Sequence, residues 1–526
     1  MVGASRYTGP VARVAEGWTL ERLSPPSRLQ GANGIRTGAD GRIYIAQVAG
    51  SCVSAIDVDT GVIETISAAG GAITGPDDLV FDEAGNLYCT EITRDRVTVL
   101  RPDGTSSVVA DGINVANPIT YHQGRLIAGE LTMGGRIFEI DRNSGAKRVI
   151  CEGVPMANAF EVGPDGKLYF PAQAANEIWR VSLDGGAPEV VAKDLGIPDS
   201  VKFHPDGYIV STQVASGQVL KIDLRTGEKS ILADIGPGLD NVAFVNGRTF
   251  VSHITGSIHE ITSLGTAKPV VDKGLEWPMG VAVNAAGTVY AADGMFAYTV
   301  AAGAGIELAG TLFWPGYPGF MRGIAAVGSD WFVTTANGTV ARWQPGQEAE
   351  TLAHGYEIPM GIAVSGQAVV FTDAGTGRVL SLEGGQVTEL ASGLNKPYGV
   401  AISDRGDIFV AEADGQRIVK VTGGKAQTAF DGLGRPEGLA VRGTKLYVVD
   451  TATQQVLELD LVTGARTVLA SDLPVGGAPG AAPLRLGGVG DMCGPMWSFT
   501  GIAAGADGAL YLSGDAEGSV LTLRPA

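Results

Sequence analysis

Six oxygen-bearing side chains recur at nearly even spacing through the first half of the chain. Each stands directly before a short apolar run of β-strand character. These residues, the first opening set, are Asn33, Asp77, Asn117, Asn158, Asp199 and Asp240. Carboxylate and amide oxygens are the ligands that a hard divalent cation such as Ca²⁺ prefers. If the fold brings the six residues together, the pattern predicts a cation site.

The same residue types also have a structural use, because Asn and Asp at a strand entry bond to nearby backbone. The second half of the chain favours the cation, since it repeats the same turns with other residues at these positions. These residues, the second opening set, are Met279, Arg322, Met360, Tyr398, Glu437 and Thr500.

The second opening set cannot form a cage of oxygens. A mainly apolar set of residues with one Arg and one Glu is typical of the lining of a pocket for a small organic ligand. There Arg322 would hold a carboxylate or oxyanion, while Glu437 and Tyr398 transfer protons. Two structural explanations stay open: aromatic residues plug the opening, or Arg322 and Glu437 form an ion pair. The residues of this alternative pocket are Arg322, Tyr398, Glu437, Trp277, Trp314, Met360 and Trp497.

The repeat that contains these positions would bring them together. Twelve times, an apolar alternating run is followed by a turn, usually with Gly, and a second strand. A period of about 40 residues with four short strands per unit is typical of a β-propeller blade. Propellers usually have four to eight blades. The sequence therefore predicts an all-β chain of two tandem six-bladed propellers.

The ends of the repeats predict how the two rings close. We expect domains at 1–264 and 265–526. The last repeat lacks a fourth strand, whereas a strand-like piece, residues 18–23, precedes the first repeat. We therefore expect residues 18–23 to complete the sixth blade and residues 267–272 the twelfth, which leaves no exposed edge. A single domain-swapped ring is the alternative.

A segment rich in Gly, Pro and Ala, residues 475–497, interrupts the last repeat. Long loops in compact domains are often functional, and we expect this one to cover the opening of the second ring. In the first ring, His253 is the one histidine expected to face the channel. Beside carboxylates and a cation it would be a general base, and its alternative is a hydrogen-bonded structural role.

Bulk properties exclude several classes of function. The net charge of −18 argues against a nucleic-acid partner and against an anionic membrane surface. The four cysteines show no CxxC spacing, and no run approaches 18 apolar residues. No GxSxG, HExxH or Walker motif is present. We therefore expect a soluble cytoplasmic protein with a small-molecule substrate.

The first ring resembles the regucalcin/gluconolactonase (senescence marker protein-like) superfamily. The resemblance rests on three short sequence motifs: Asn117 in Ala-Asn-Pro, Asn158 in Met-Ala-Asn-Ala, and Asp199 in Ile-Pro-Asp-Ser. The family consists of six-bladed propellers that hydrolyse lactones and esters with one divalent cation on the axis. The second ring is similar to generic repeats of the same superfamily or of NHL type.

The resemblance implies that Asn158 and Asp199 bind the cation. Asn33 stands where the family has Glu, which should weaken the metal, and Asp77 or Asp240 would compensate. The expected metal ligands are Asn33, Asn158, Asp199, Asp240 and Asp77.

Three functions are compatible with these observations. The first is a divalent-cation-dependent hydrolase of a lactone or ester, with Ca²⁺ as the expected cation, Asp199 as general base and Asn117 orienting the substrate. The second is a metal-independent lyase, isomerase or hydrolase that acts on an apolar small molecule in the second ring. The third is a non-catalytic binding module whose broad faces contact a protein partner.

Overall fold

The computed structural model describes residues 5–301, 305–477, 485–486, 494–495 and 499–526. Within these residues the fold is all-β, and the only helix is a 3₁₀ turn at Gln173–Ala175. None of the described helical residues forms a segment long and apolar enough to cross a membrane. The chain divides into two compact units. The first unit consists of Arg28–Glu276 and the described residues 485–486, and the second consists of the described residues of 5–27, 277–477, 494–495 and 499–526.

The first unit contains six antiparallel four-stranded sheets, numbered in chain order. Their strands are Ile35–Thr37, Ile43–Gln47, Cys52–Ile56 and Ile63–Ser67 (sheet 1); Pro76–Phe81, Leu87–Glu91, Arg96–Leu100 and Ser106–Asp111 (sheet 2); Ala116–His122, Arg125–Glu130, Met133–Ile140 and Lys147–Pro155 (sheet 3); Glu161–Val162, Lys167–Ala172, Glu177–Ser182 and Glu189–Ala192 (sheet 4); Lys202–Phe203, Ile209–Thr212, Gln218–Ile222 and Lys229–Asp234 (sheet 5); and Leu239–Val245, Arg248–His253, Ile258–Ser263 and Thr266–Val271 (sheet 6).

The second unit contains sheets 7 to 12, of which sheet 11 has five strands and the others four. Their strands are Val281–Val283, Val289–Asp293, Phe296–Ala301 and Gly305–Thr311 (sheet 7); Met321–Val327, Asp330–Thr335, Thr339–Trp343 and Glu350–His354 (sheet 8); Pro359–Ser365, Ala368–Asp373, Arg378–Glu383 and Gln386–Ala391 (sheet 9); Pro397–Ile402, Ile408–Glu412, Arg417–Thr422 and Lys425–Phe430 (sheet 10); Pro436–Arg442, Lys445–Asp450, Gln455–Asp460, Arg466–Ser471 and Arg13–Val14 (sheet 11); and Ile502–Ala504, Leu510–Gly514, Ser519–Pro525 and Trp18–Arg22 (sheet 12). Two further short strands are Arg485–Leu486 and Gly494–Pro495.

Each sheet is a meander of alternating strands joined by tight turns. In sheet 1 the predicted first turn is confirmed, with Gly41 at φ 79°, a backbone region that glycine enters without steric cost. Apolar residues on the faces of neighbouring sheets pack against each other. One cluster joins Val80 and Tyr88 of sheet 2 to Ile119 and Leu126 of sheet 3. The cores therefore lie between adjacent sheets.

First strands of neighbouring sheets approach closely at the glycines that follow the second opening set. A Cβ on Gly323 would lie 2.1 Å from the carbonyl oxygen of Met360 in the next sheet. The last sheet makes the same contact with the first sheet of the unit, since Gly501 donates its N–H to the carbonyl of Met279 at 3.0 Å. Only glycine leaves the backbones this close.

The first unit shows an equivalent contact between its last and first sheets. Ser252 of sheet 6 donates its hydroxyl to the carbonyl of Asn33 at 2.7 Å. At the other side of sheet 1, Gly34 donates its N–H to the carbonyl of Asp77 at 2.7 Å. The residues of the opening set are thus held by backbone contacts between sheets.

The predicted exchange of closing strands is wrong. Trp18–Arg22 pairs antiparallel with Ser519–Pro525 and completes sheet 12, not sheet 6. Thr266–Val271 pairs with Ile258–Ser263 and completes sheet 6, so residues 267–272 do not complete the twelfth sheet. The tight turn at Gly265 joins Ile258–Ser263 to Thr266–Val271, and closing this short turn has a lower entropic cost than pairing with a distant strand. The division between the units falls after Glu276 rather than near residue 264.

Candidate functional site

The six residues of the first opening set lie buried at one place in the first unit. All are between 3% and 8% exposed. Asn33 donates from Nδ2 to Asp240 Oδ2 at 3.3 Å, which links sheets 1 and 6. Asn117 donates from Nδ2 to Asp77 Oδ1 at 2.9 Å, which links sheets 3 and 2. The repeat therefore brings amide and carboxylate oxygens from different sheets into contact.

Three carboxylates of this set raise the pKa of one another. Burial is the largest cause for each, and it raises the pKa of Asp77, Asp199 and Asp240 well above the ordinary value. Neighbouring negative charges raise these pKa values further. The charge of Asp240 acts on Asp77, the charge of Asp77 acts on Asp199, and the charge of Asp199 acts on Asp240. Buried like charges of this kind call for a proton or a cation.

Two oxygens of the set have no hydrogen-bond partner among the described residues, namely Asn117 Oδ1 and Asp199 Oδ1. The other oxygen of Asp199, Oδ2, accepts from Gln173 Nε2 at 2.8 Å. By contrast, Asn158 Oδ1 accepts the N–H of Ala159 at 2.8 Å, and Asn33 Oδ1 accepts the N–H of Val48 at 3.1 Å. Asn117 and Asp199 are therefore the members with a fully buried acceptor atom that lacks a partner.

The donor set fits a hard cation. Across the described part of the chain, no group of three or more His, Cys, Asp or Glu side chains is placed to hold a metal by itself. Amide oxygens of the opening set would therefore have to share the coordination. Carbonyl-type and carboxylate oxygens together are what Ca²⁺ accepts, and a cation here would remove the repulsion among the aspartates.

Backbone strain occurs next to three of the expected functional residues. Val115, Met156 and Ile197 have φ values of 50°, 61° and 63°. Each lies two positions before a member of the opening set in sheets 3, 4 or 5. Positive φ is rare for non-glycine residues and is an outlier for a β-branched one, and such strain is common at functional sites.

His253 has a structural environment. Its Nε2 lies 2.8 Å from the carbonyl oxygen of Pro237, and Nδ1 lies 3.0 Å from Thr255 Oγ1. Burial lowers the pKa of His253 well below its usual range, so the ring is neutral. Because both ring nitrogens are engaged, the geometry favours a structural role over a general base.

A second polar layer, which the sequence reasoning missed, lies one or more residues further along the first strands. Asp78 accepts from Asn241 Nδ2 at 3.3 Å and from the N–H of Leu79 at 2.8 Å. Lys202 is 2% exposed and donates from Nζ to the carbonyl of Phe160 at 3.3 Å. Burial lowers the pKa of Lys202 to about 8. A polar residue inside an otherwise apolar first strand was the available signal.

The polar residues at the ends of the second strands bind backbone. Glu130 accepts the N–H of Asn114 at 3.2 Å, and Gln213 that of Gly196 at 3.0 Å. In the second unit, Asp373 accepts the N–H of Ile358 at 2.8 Å. These side chains fasten the connection that precedes each first strand.

Three residues of the second opening set, Tyr398, Glu437 and Thr500, belong to one hydrogen-bonded network. Glu437 pairs with Arg435 at 3.2 Å, and Arg435 Nη2 lies 3.2 Å from the hydroxyl of Tyr398. Glu437 also accepts the N–H of Thr500 at 2.9 Å, whose hydroxyl donates to Asp515 at 2.9 Å. Burial raises the pKa of Glu437 to about 7 and that of Asp515 to about 6.

The other described residues of the alternative pocket differ in their surroundings and exposure. Arg322 is buried and donates to the carbonyl of Pro359 at 3.4 Å, with Met360 Sδ at 3.8 Å. Trp277 is 5% exposed, whereas Trp314 is 41% exposed. Trp497 and most of the segment 475–497 lie outside the described residues.

No family model matches the chain, and no curated protein matches it either. Similar solved structures include virginiamycin B lyase from Staphylococcus aureus, at 17% identity and a TM-score of 0.38, covering 54% of this chain and 96% of that one. They also include a calcium-binding protein, regucalcin, from Agrobacterium tumefaciens, at 16% identity and a TM-score of 0.36, covering 44% and 85%. A gluconolactonase from Xanthomonas campestris is 14% identical with a TM-score of 0.38, covering 48% and 97%. As the sequence resemblance predicted, a regucalcin and a gluconolactonase are among the structures similar to this chain.

Proposed function

We propose that this protein is a divalent-cation-dependent hydrolase of a lactone or related ester, with its active site at the first opening set. The single observation that supports this most is the meeting of three mutually repelling aspartates with two open oxygens, Asn117 Oδ1 and Asp199 Oδ1. Ca²⁺ is the cation proposed, because every available donor is a hard oxygen.

The fold proposed for this site is a six-bladed propeller in each unit. The contact of Ser252 with Asn33 in the first unit, and of Gly501 with Met279 in the second, supports a closed series of six sheets in each. In such a ring the residue before each first strand faces the common axis. The cytoplasm is the proposed location.

Each residue of the site has a proposed role. The carboxylates of Asp77, Asp199 and Asp240 would hold the cation, and the amide oxygens of Asn33 and Asn158 would complete the set. A bound divalent cation polarises an ester carbonyl and lowers the pKa of water. Asp199 accepts the proton of the attacking water, and Gln173 holds its second oxygen in place. Asn117 orients the substrate through its amide.

The proposal is tested by hydrolysis of γ-butyrolactone after treatment with EDTA. We expect activity to disappear with the metal and to return with Ca²⁺. Asp199→Asn should lower kcat/KM by about 100-fold or more, because it removes the proton acceptor and one anionic ligand. Asp206→Asn is the matched control, since Asp206 is 76% exposed on a hairpin of the same sheet. Full activity in EDTA would overturn the proposal.

A further inference from the structure

Five apolar residues lie in or beside the connections that lead to the opening set in sheets 4, 5 and 6. We call this group the apolar rim, and it consists of Met133, Pro155, Met156, Ile197 and Pro237. Met133 is 69% exposed, and the other four are partly buried. Exposed apolar side chains grouped beside a polar site are typical of a binding surface.

The hydrogen bonds of the first unit place this rim beside the opening set. Met133 pairs in register with Pro155 in sheet 3. The carbonyl of the next residue, Met156, accepts the N–H of Gln173 at 3.0 Å, while the side chain of Gln173 binds Asp199 at 2.8 Å. One residue thus connects the rim to the proposed proton acceptor.

The remaining members lie on the next connections. Ile197 is two residues before Asp199, and Pro237 is three residues before Asp240. The carbonyl of Pro237 is already bonded to His253. The rim residues therefore lie in sheet 3 and in the connections that lead to Asn158, Asp199 and Asp240.

The chemistry of this surface discriminates between classes of lactone. A sugar lactone has several hydroxyls, and each one that binds without a partner loses its hydrogen bonds to water. The side chain of Gln173, whose backbone N–H binds the carbonyl of Met156, is committed to Asp199. An alkyl chain has the opposite property, because every methylene that it buries against the rim favours binding.

Resting on the proposed function, we infer that the natural substrate is a lactone or ester with an apolar chain of several carbons. The ester group faces the first opening set, and the chain lies along the apolar rim. Hydrolysis then adds water across the acyl–oxygen bond, so that a lactone yields one hydroxy acid that retains the chain and an open ester yields an acid and an alcohol.

The experiment compares three substrates with the full Ca²⁺-loaded chain: γ-nonalactone, γ-butyrolactone and gluconolactone. We expect kcat/KM for γ-nonalactone to exceed both others by about tenfold or more. Met133→Ser should lower kcat/KM for γ-nonalactone by about threefold to tenfold, through KM, and should therefore lower the ratio of kcat/KM for γ-nonalactone to that for γ-butyrolactone. Because Met133 is mostly exposed, Met133→Ser avoids any doubt about folding.

Val149→Ser is the matched control, since Val149 is 44% exposed on the outer strand of the same sheet and outside the rim. It should alter none of the three rates. The inference would be overturned if the protein hydrolysed gluconolactone as well as γ-nonalactone, or if a rim variant kept the preference for the alkyl chain. Cation-dependent hydrolysis would stand in either case. Activity that does not depend on the cation would instead refute the proposed function.

Discussion

At the scale of single residues, the account depends on Asp77, Asp199 and Asp240 being buried together. Each has a folded-state pKa above its value in the unfolded chain, with burial as the main cause. Between the unfolded pKa of about 4 and the raised value, the native metal-free chain binds more protons than the unfolded chain. Its stability is therefore greater at low pH and falls as the pH rises through this window.

This dependence of stability on pH leads to a prediction for Asp199→Asn in the absence of metal. The variant lacks one of the repelling charges, so it should melt at a higher temperature than the wild-type chain at about pH 8. The two curves should converge as the pH falls and the wild-type carboxyl takes up its proton. Thermal melts in EDTA across this range measure the difference. A variant that is less stable at every pH would contradict the repulsion.

The residues of the opening set could be found from the sequence, because a repeat fixes which position of each unit approaches the axis. Gln173 and Lys202 could not be found in this way. Gln173 lies in a connection whose path is not part of the repeat, and Lys202 lies inside a strand where an apolar residue was expected. Which oxygen atoms remain without partners depends on side-chain geometry, and the sequence contains no information on it.

At the scale of elements, glycine determines how closely first strands approach. A Cβ on Gly323 would lie 2.1 Å from the Met360 carbonyl, and backbone cannot move aside easily. We expect Gly323→Ala to destabilise the second unit by about 3 kcal/mol. Gly328→Ala in the turn of the same sheet meets nothing within 4 Å, and its φ of 61° alone should cost about 1 kcal/mol. Denaturant titrations of both variants measure the free energy of unfolding. Equal losses of stability in the two variants would contradict the close approach of the first strands at Gly323.

The strands of the first repeat were predictable from alternation and from the Asp-Gly turn, and they are confirmed to within about two residues. Their partners across long sequence distances were not. Residues 18–23 have the composition of an edge strand that would fit either sheet 6 or sheet 12. Sheet 6 already has a fourth strand after the turn at Gly265, so only sheet 12 is left with a free edge.

At the scale of the whole molecule, this pairing joins residues near the start of the chain to sheets 11 and 12 of the second unit, which contains residues from both ends of the sequence. Deletion of residues 1–22 removes Arg13–Val14 from sheet 11 and Trp18–Arg22 from sheet 12. Three strands of sheet 12 remain, with an unpaired edge. We expect hydrogen exchange to become faster in sheets 11 and 12, while sheets 1 to 6 keep their protection.

Mass-spectrometric hydrogen exchange, resolved by peptide, separates the two units in one experiment. Adding Ca²⁺ should slow exchange in the first unit of both the full and the shortened chain, since a ligand that binds the native state stabilises it. Loss of protection in sheet 6 after the deletion would contradict the pairing of Trp18–Arg22 with Ser519–Pro525.

The central claim is that the first opening set binds a cation, and calorimetric titration of Ca²⁺ into the EDTA-treated chain tests it most directly. Since the three carboxylates have raised pKa values, binding near neutral pH should release protons, and the heat should vary with the ionisation enthalpy of the buffer. The account predicts one Ca²⁺ per chain with proton release, and the loss of both in Asp199→Asn but not in Asp206→Asn. A chain that binds no cation, or an Asp199→Asn variant that binds it unchanged, would contradict the claim.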